Sequence, residues 1–307
     1  MTRRPAMDGA RRRERSRRAD PAPRVTRAQA VALPHAADHP ARWSRPHVRT
    51  IAIASGRRGA GKSHLAANLA VALGERGARV LLVDADFGAA SLDLLLGLHP
   101  AFDLQHVVSG EKAIEEVVVP GPRGVTLVPA SPGAPDRPVL DDYRREVLLR
   151  SIGLLEGDAD LILIDTAGAD SPEATAFCRP ADDVLVVCTT ELPDFSDAYG
   201  LVKRLHEEHV PSPPHLVVNQ AGSGEEAEET AQRIRAFARR FLGAEPDYWG
   251  AVPFDPAVPR AGHLQEPVVT AFPQSPAAVA YRALAARLWS DPSPGEWALP
   301  DSERLEA

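Results

Sequence analysis

The sequence predicts an α/β fold. Its expected form is a doubly wound, mostly parallel sheet of about seven or eight strands, with helices on both faces, in a single domain. Three observations carry this expectation. Apolar runs rich in Val, Ile and Leu alternate with helix-like stretches from Thr50 onward. Several of those runs are continuously apolar, as in parallel strands covered on both faces. The first run leads straight through a glycine-rich loop into a helix.

Residues 1–48 are rich in Arg, Ala and Pro without periodicity and read as a disordered basic arm. Strands are expected at Thr50–Ser55, Val80–Asp84, Val125–Pro129, Leu161–Asp165, Val184–Thr189, His215–Asn219 and Trp249–Val252. Helices are expected at 62–75, 143–155, 172–179, 195–208 and 225–241, between most of the strands. A last helix, Ser275–Trp289, closes a folded domain spanning 49–290. The stretch 291–307 is Pro-rich and acidic and reads as a flexible tail.

The charge is divided. The first 50 residues hold 13 arginines against four acids, +9, while the remaining 257 hold 22 basic and 38 acidic residues, −16. An acidic body disfavours a DNA-gripping core domain. Cys178 and Cys188 do not form a CxxC pair, so they give little support to a zinc or iron–sulfur site. Unpaired thiols fit a reducing cytosol. No run of 18 apolar residues suggests a membrane span, and the arginine-rich start lacks the apolar stretch of a secretion signal. The expected location is therefore cytoplasmic.

The chemistry starts at Ser55-Gly-Arg-Arg-Gly-Ala-Gly-Lys-Ser-His64. Gly56, four residues, then Gly61-Lys62-Ser63 is the spacing of a phosphate-binding loop, here in its strand–loop–helix setting. Gly56, Arg57, Gly59, Ala60, Gly61, Lys62, Ser63 and His64 would wrap a polyphosphate with successive backbone N–H groups at a helix N-terminus. Lys62 would reach the outer phosphates and the Ser63 hydroxyl would ligate Mg²⁺. Asp84 and Asp86 follow the second strand at i and i+2. One could orient water and the other could hold Mg²⁺ or a switch contact. Asp165 ends an apolar run and would hold Mg²⁺, with Gly168 letting the backbone approach the γ-phosphate. Asn219, at another strand end, could pair with adenine.

From about Thr50 to Leu288 the residues resemble the deviant phosphate-loop ATPases of the MinD/ParA type. Within them they resemble the FlhG group (also called FleN or YlxH) of flagellar number and placement regulators. The resemblance rests on the loop, on Val83–Gly88 with Ser91–Leu98, on Phe102–Gly110 with Val125–Ser131, and on Asp194–Leu205. It also rests on Pro253–Ala261 and Ala271–Ala277. It implies a P-loop fold with ATP and Mg²⁺ as cofactors, and an ATP-dependent homodimer that hydrolysis releases. By the same resemblance Lys62, Arg57 and Asp86 are catalytic and Asp84 is a switch partner. Ser63, Asp84 and Asp165 serve the metal, and Asn219 the base. Implied partners are a flagellar-assembly GTPase or flagellar switch proteins, with peripheral contact at the inner face of the cell membrane.

The chain departs from that pattern in places. Arg57-Arg58 stand where the resemblance leads one to expect Lys-Gly, and Ser91 replaces a common Asn. Glycine placement after Asp165 is shifted. Two other classes therefore stay open: a ParA-like partition or cargo-positioning ATPase, and a nucleotide-dependent scaffold that does not hydrolyse. Ala277, Ala278, Tyr281, Leu284, Ala285, Leu288 and Trp289 form an apolar stripe, read here as packing on the domain and alternatively as a membrane contact. Gln29–Leu33 partly match a GTPase-stimulating segment of the family.

Overall fold

The structure is a computed structural model and describes residues 48–131, 141–168, 175–210 and 212–290. The basic arm (save Val48), Gln29–Leu33, the acidic tail, and residues 169–174, which include the start of the helix expected at 172–179, lie outside the described residues.

The chain alternates as expected. The run from β1 (Arg49–Ser55) continues through α1 (Lys62–Gly74), β2 (Val80–Ala85), α2 (Leu92–Leu95), α3 (Leu104–Val108) and α4 (Ile114–Val117). Next come β3 (Val119–Pro120), β4 (Val125–Val128), α5 (Asp142–Leu154), β5 (Leu161–Thr166) and β6 (Asp183–Cys188). The second half holds α6 (Leu192–Glu207), β7 (His215–Ala221), α7 (Gly224–Leu242) and β8 (Asp247–Pro253). Then α8 (Ala257–His263), α9 (Val268–Ala271) and α10 (Pro276–Ser290) complete it.

The eight strands form one sheet in the order β3-β4-β2-β5-β1-β6-β7-β8. All pairs are parallel except β3 with β4. All seven expected strands are present; β3, two residues long, is too short for any alternation to reveal. One expected helix is corrected. Thr175–Pro180 form turns, with Cys178 N–H and Arg179 N–H both donating to the Thr175 carbonyl. Pro180 disfavours helix at the residue before it, and the burial of Phe177 and Cys178 pins the segment as a turn.

Strand residues sort by parity into the two faces. Ile51, Ile53, Leu82, Leu163, Leu185 and Val187 point into a core with α1 and α10. Ala52, Ala54, Val184, Val186, Leu216 and Val218 face α6 and α7. Leu81, Val83, Ile162 and Ile164 meet α3, α4 and α5. Burial on both sides explains why the strands read as unbroken apolar runs. Cys188 is part of this core, as its sequence setting suggests, and burial pushes its thiol up to about 12, so it stays protonated.

The apolar stripe of α10 belongs to the core. Ala277, Ala278, Tyr281, Leu284, Ala285 and Leu288 are buried, while Trp289 is partly exposed. Arg282 fixes the helix by donating to Glu75 at 2.8 Å, Pro273 O at 2.7 Å and Val269 O at 2.6 Å. Among the described residues no helix is long and apolar enough to cross a membrane. Truncating Tyr281 to Ala should destabilise the fold by about 3 kcal/mol, whereas Trp289→Ala should cost under about 1 kcal/mol. Urea unfolding followed by circular dichroism would measure both; equal losses would place the stripe outside the core.

Candidate functional site

The order β2-β5-β1 puts three loop-bearing strand ends side by side. Parallel strands deliver their carboxyl ends to one edge, so the loops after Ser55, Ala85 and Thr166 share it. Asp84 and Asp165 are register partners in β2 and β5. The sheet thereby gathers Lys62, Ser63, Asp84, Asp86, Asp165 and Gly168, which are far apart in sequence.

The loop from Gly56 to Gly61 is held from two sides. On one side Gly56 lies against α6, where a Cβ would overlap the Asp197 carbonyl. On the other, Gly61 caps α1 with φ 93°, a left-handed conformation that costs glycine nothing, and a Cβ there would overlap the Asn219 amide. Asn219 Nδ2 donates to Ala60 O at 2.8 Å and Gln220 Nε2 to Gly59 O at 3.2 Å. Within the loop, Ser55 Oγ donates to Arg57 O at 2.5 Å. The structure thus uses the Asn219 amide as a brace beneath the loop, a use that its strand-end position does not reveal. Gln220 and Glu191 also contact the loop and lie outside the motifs, while Asp197, whose carbonyl meets Gly56, lies within the Asp194–Leu205 stretch. Of the first two, Gln220 could have been suspected, as the residue after Asn219.

The two loop arginines diverge. Arg57 Nη1 lies 3.8 Å from Glu191 Oε2 at the start of α6, whereas Arg58 is exposed and turns toward Gly88 after β2. Lys62 is buried beside Asp165, and Ser63 is half-buried. His64 packs its ring toward Gly262 of α8, and burial pulls its pKa below the ordinary imidazole value. Its place in the phosphate site is therefore through the backbone.

The aspartates have three different settings. Asp84 Oδ1 accepts from Asp86 N–H at 3.1 Å, and its Oδ2 accepts from Ser91 N–H at 3.1 Å and Leu92 N–H at 3.2 Å. It ties the loop after β2 and the start of α2 to the sheet. Burial, then the neighbouring Asp165 charge, pushes its carboxyl well above the usual range. Asp86 Oδ1 accepts from Gly88 N–H at 3.1 Å and Ala89 N–H at 3.0 Å, closing a tight turn in which Oδ2 takes no part. Asp165 is fully buried, and neither of its oxygens makes a hydrogen bond of good geometry. Burial raises its pKa to about 7, against the pull of Lys62 and Ser63.

An unpaired buried carboxylate is costly unless something arrives to pair it. Among the described residues no three His, Cys, Asp or Glu side chains cluster to hold a metal unaided. One carboxylate beside one hydroxyl suits Mg²⁺, which keeps waters and shares its remaining coordination with phosphate. A glycine loop, a buried lysine and an orphaned carboxylate therefore fit a Mg²⁺-bound polyphosphate.

The comparisons agree. The profile of the family described as the CobQ/CobB/MinD/ParA nucleotide binding domain matches residues 51–268. The chain belongs to this family. It is 34% identical over 247 residues to the antiactivator FleN of Pseudomonas aeruginosa, covering 80% of this chain and 88% of that protein. It is 28% identical over 214 residues to the flagellum site-determining protein YlxH of Helicobacter pylori, covering 67% and 70%. The septum site-determining protein MinD of Pyrococcus horikoshii, solved with Mg-ADP, superposes with TM-score 0.66 at 26% identity, covering 78% of this chain and 96% of that one. The fold and the nucleotide-binding class of this CobQ/CobB/MinD/ParA member are thus established.

The orphaned carboxylate makes a pH prediction. A carboxyl with a folded pKa near 7 and an ordinary unfolded one binds an extra proton when folded between about pH 4 and 7. Its contribution to stability is present at the acid end of that window and lost as pH rises through 7. Asp165→Asn should therefore raise the nucleotide-free melting temperature at pH 8 and change it little at pH 4, by differential scanning fluorimetry. An equal effect at both values would contradict the assignment.

Proposed function

We propose that this chain is an ATP-binding and ATP-hydrolysing dimerisation switch that regulates the number or placement of flagella. The observation that carries the chemistry is Asp165, buried beside Lys62 and Ser63 with neither oxygen in a hydrogen bond of good geometry. The flagellar relatives support the biological role. In this reading 49–290 is the ATPase domain, flanked by a basic arm and an acidic tail.

The loop N–H groups from Gly56 to Ser63 and the Lys62 ammonium hold the phosphates. Ser63 and Asp165 hold Mg²⁺, which when bound neutralises charge developing on the phosphoryl oxygens. Asp86 orients the attacking water with the oxygen its own turn leaves unused. Gly168 lets the backbone close on the terminal phosphate. Asp84 has both oxygens engaged with backbone N–H groups, so it anchors the switch loop, and its Oδ1, with one N–H, keeps a lone pair for Mg²⁺ or its water. Asn219 braces the loop and flanks the nucleotide. Arg57, half-exposed and only loosely paired with Glu191, is free to swing to a partner protomer's phosphates. Its planar fork replaces the point charge of lysine in that role.

The switch acts in the cytoplasm, with a flagellar-assembly GTPase or flagellar switch proteins as partners. Turnover is slow or partner-activated, as befits a timer.

Size-exclusion chromatography with light scattering, run beside phosphate release, tests the switch. Wild type should dimerise with ATP. Lys62→Ala should abolish the dimer and cut ATP affinity at least about tenfold. Asp86→Ala should keep the dimer while lowering turnover about a hundredfold. Arg57→Ala should weaken the dimer more than ATP binding. ATP binding without turnover, partners included, and without change of size would exclude the switch and favour a scaffold.

A further inference from the structure

Arg58 is the second of two adjacent arginines in a loop whose other residues from Gly56 to Gly61 are glycine or alanine. Arg57 faces Glu191 at the start of α6, and the Arg58 guanidinium reaches the turn that follows β2. A Cβ on Gly88 would lie 3.2 Å from Arg58 Nη2 and 3.9 Å from its Cζ. The same point lies 3.3 Å from Asp86 Oδ1. That oxygen already accepts from Gly88 and Ala89 N–H, so the guanidinium sits over the turn that sets the Asp86 carboxylate. A glycine at 88 leaves the planar group room to lie flat there; an alanine would push it away. The arginine and the glycine are complementary. Nothing in phosphate binding demands either one, because Lys62 and the loop N–H groups already supply that function.

We propose that Arg58 is a positioning residue for hydrolysis: it joins the phosphate loop to the Asp86–Ala89 turn and holds Asp86 in its working orientation. The inference rests on the ATPase reading above. A guanidinium suits this task because it is planar, permanently charged and forked, so it can lie on a turn and face a carboxylate together. It also makes the two loops move as one. A displacement of the phosphate loop is passed to the hydrolysis residue through one side chain.

The test uses the full chain as wild type, Arg58→Gly, Arg58→Lys and Gly88→Ala. Hydrogen exchange on the nucleotide-free proteins reads the contact directly. Arg58→Gly and Gly88→Ala should each speed exchange in a peptide spanning Val83–Leu92 by about tenfold, with the β1 and β5 peptides unchanged. At saturating ATP both should lower kcat about tenfold with KM within about threefold of wild type, and Arg58→Lys should fall between. Unchanged exchange and kcat in Arg58→Gly would overturn the proposal. So would a raised KM with unchanged kcat, which would make Arg58 a binding charge only. A wild-type chain that binds no ATP would instead overturn the functional reading, and the exchange result would still report whether the contact exists.

Discussion

The site depends on one constraint: two carboxylates, Asp84 and Asp165, are buried side by side at the ends of paired parallel strands. Like charges in such a place cannot both be ionised cheaply. The structure treats them differently. Asp84 is given three backbone N–H groups, and these fix the loop that carries Asp86. Asp165 is given none and is left beside Lys62 and Ser63. One acid ties backbone segments together, and the other is left with its oxygens unengaged by backbone, which in the proposed function is where Mg²⁺ binds. Nearly every other feature of the site follows from that division.

The division in turn depends on the sheet. Placing β5 between β2 and β1 brings the acids next to the phosphate loop, and covering both faces with helices removes water from them. β7 reaches the loop from the far side, with Asn219 and Gln220 donating to its carbonyls. The loop is thus shaped by its neighbours before any ligand arrives. A preformed loop spares the ordering entropy that ligand binding would otherwise cost.

Much of this was legible in the sequence. The seven longer strands were marked by apolar runs that only two covered faces explain, and the loop by its glycine and lysine spacing. What stayed hidden depended on distant approach. The four-residue helices α2, α4 and α9 are too short to show a period, and β3 exists only because β4 pairs with it. The turns at Thr175–Pro180 look helical by composition, but they bury Phe177 and Cys178 without continuing as a helix. Spacing marked Asp84 but could not show that both its oxygens accept backbone N–H groups. Strand-end position marked Asn219 for the base, and nothing in the sequence shows that its Nδ2 also reaches Ala60 O. Arg58 stood out only as a replaced glycine, because nothing in the sequence shows its guanidinium beside Gly88.

The central claim is that Asp165 is orphaned so that Mg²⁺ can pair it. The most direct test is calorimetric titration of ATP into wild type and Asp165→Asn, with Mg²⁺ and with EDTA. The account predicts that Mg²⁺ tightens wild-type binding at least about tenfold and that Asp165→Asn loses this gain while keeping its metal-free affinity. Equal tightening by Mg²⁺ in both proteins would show that Asp165 serves no cation and would contradict the account.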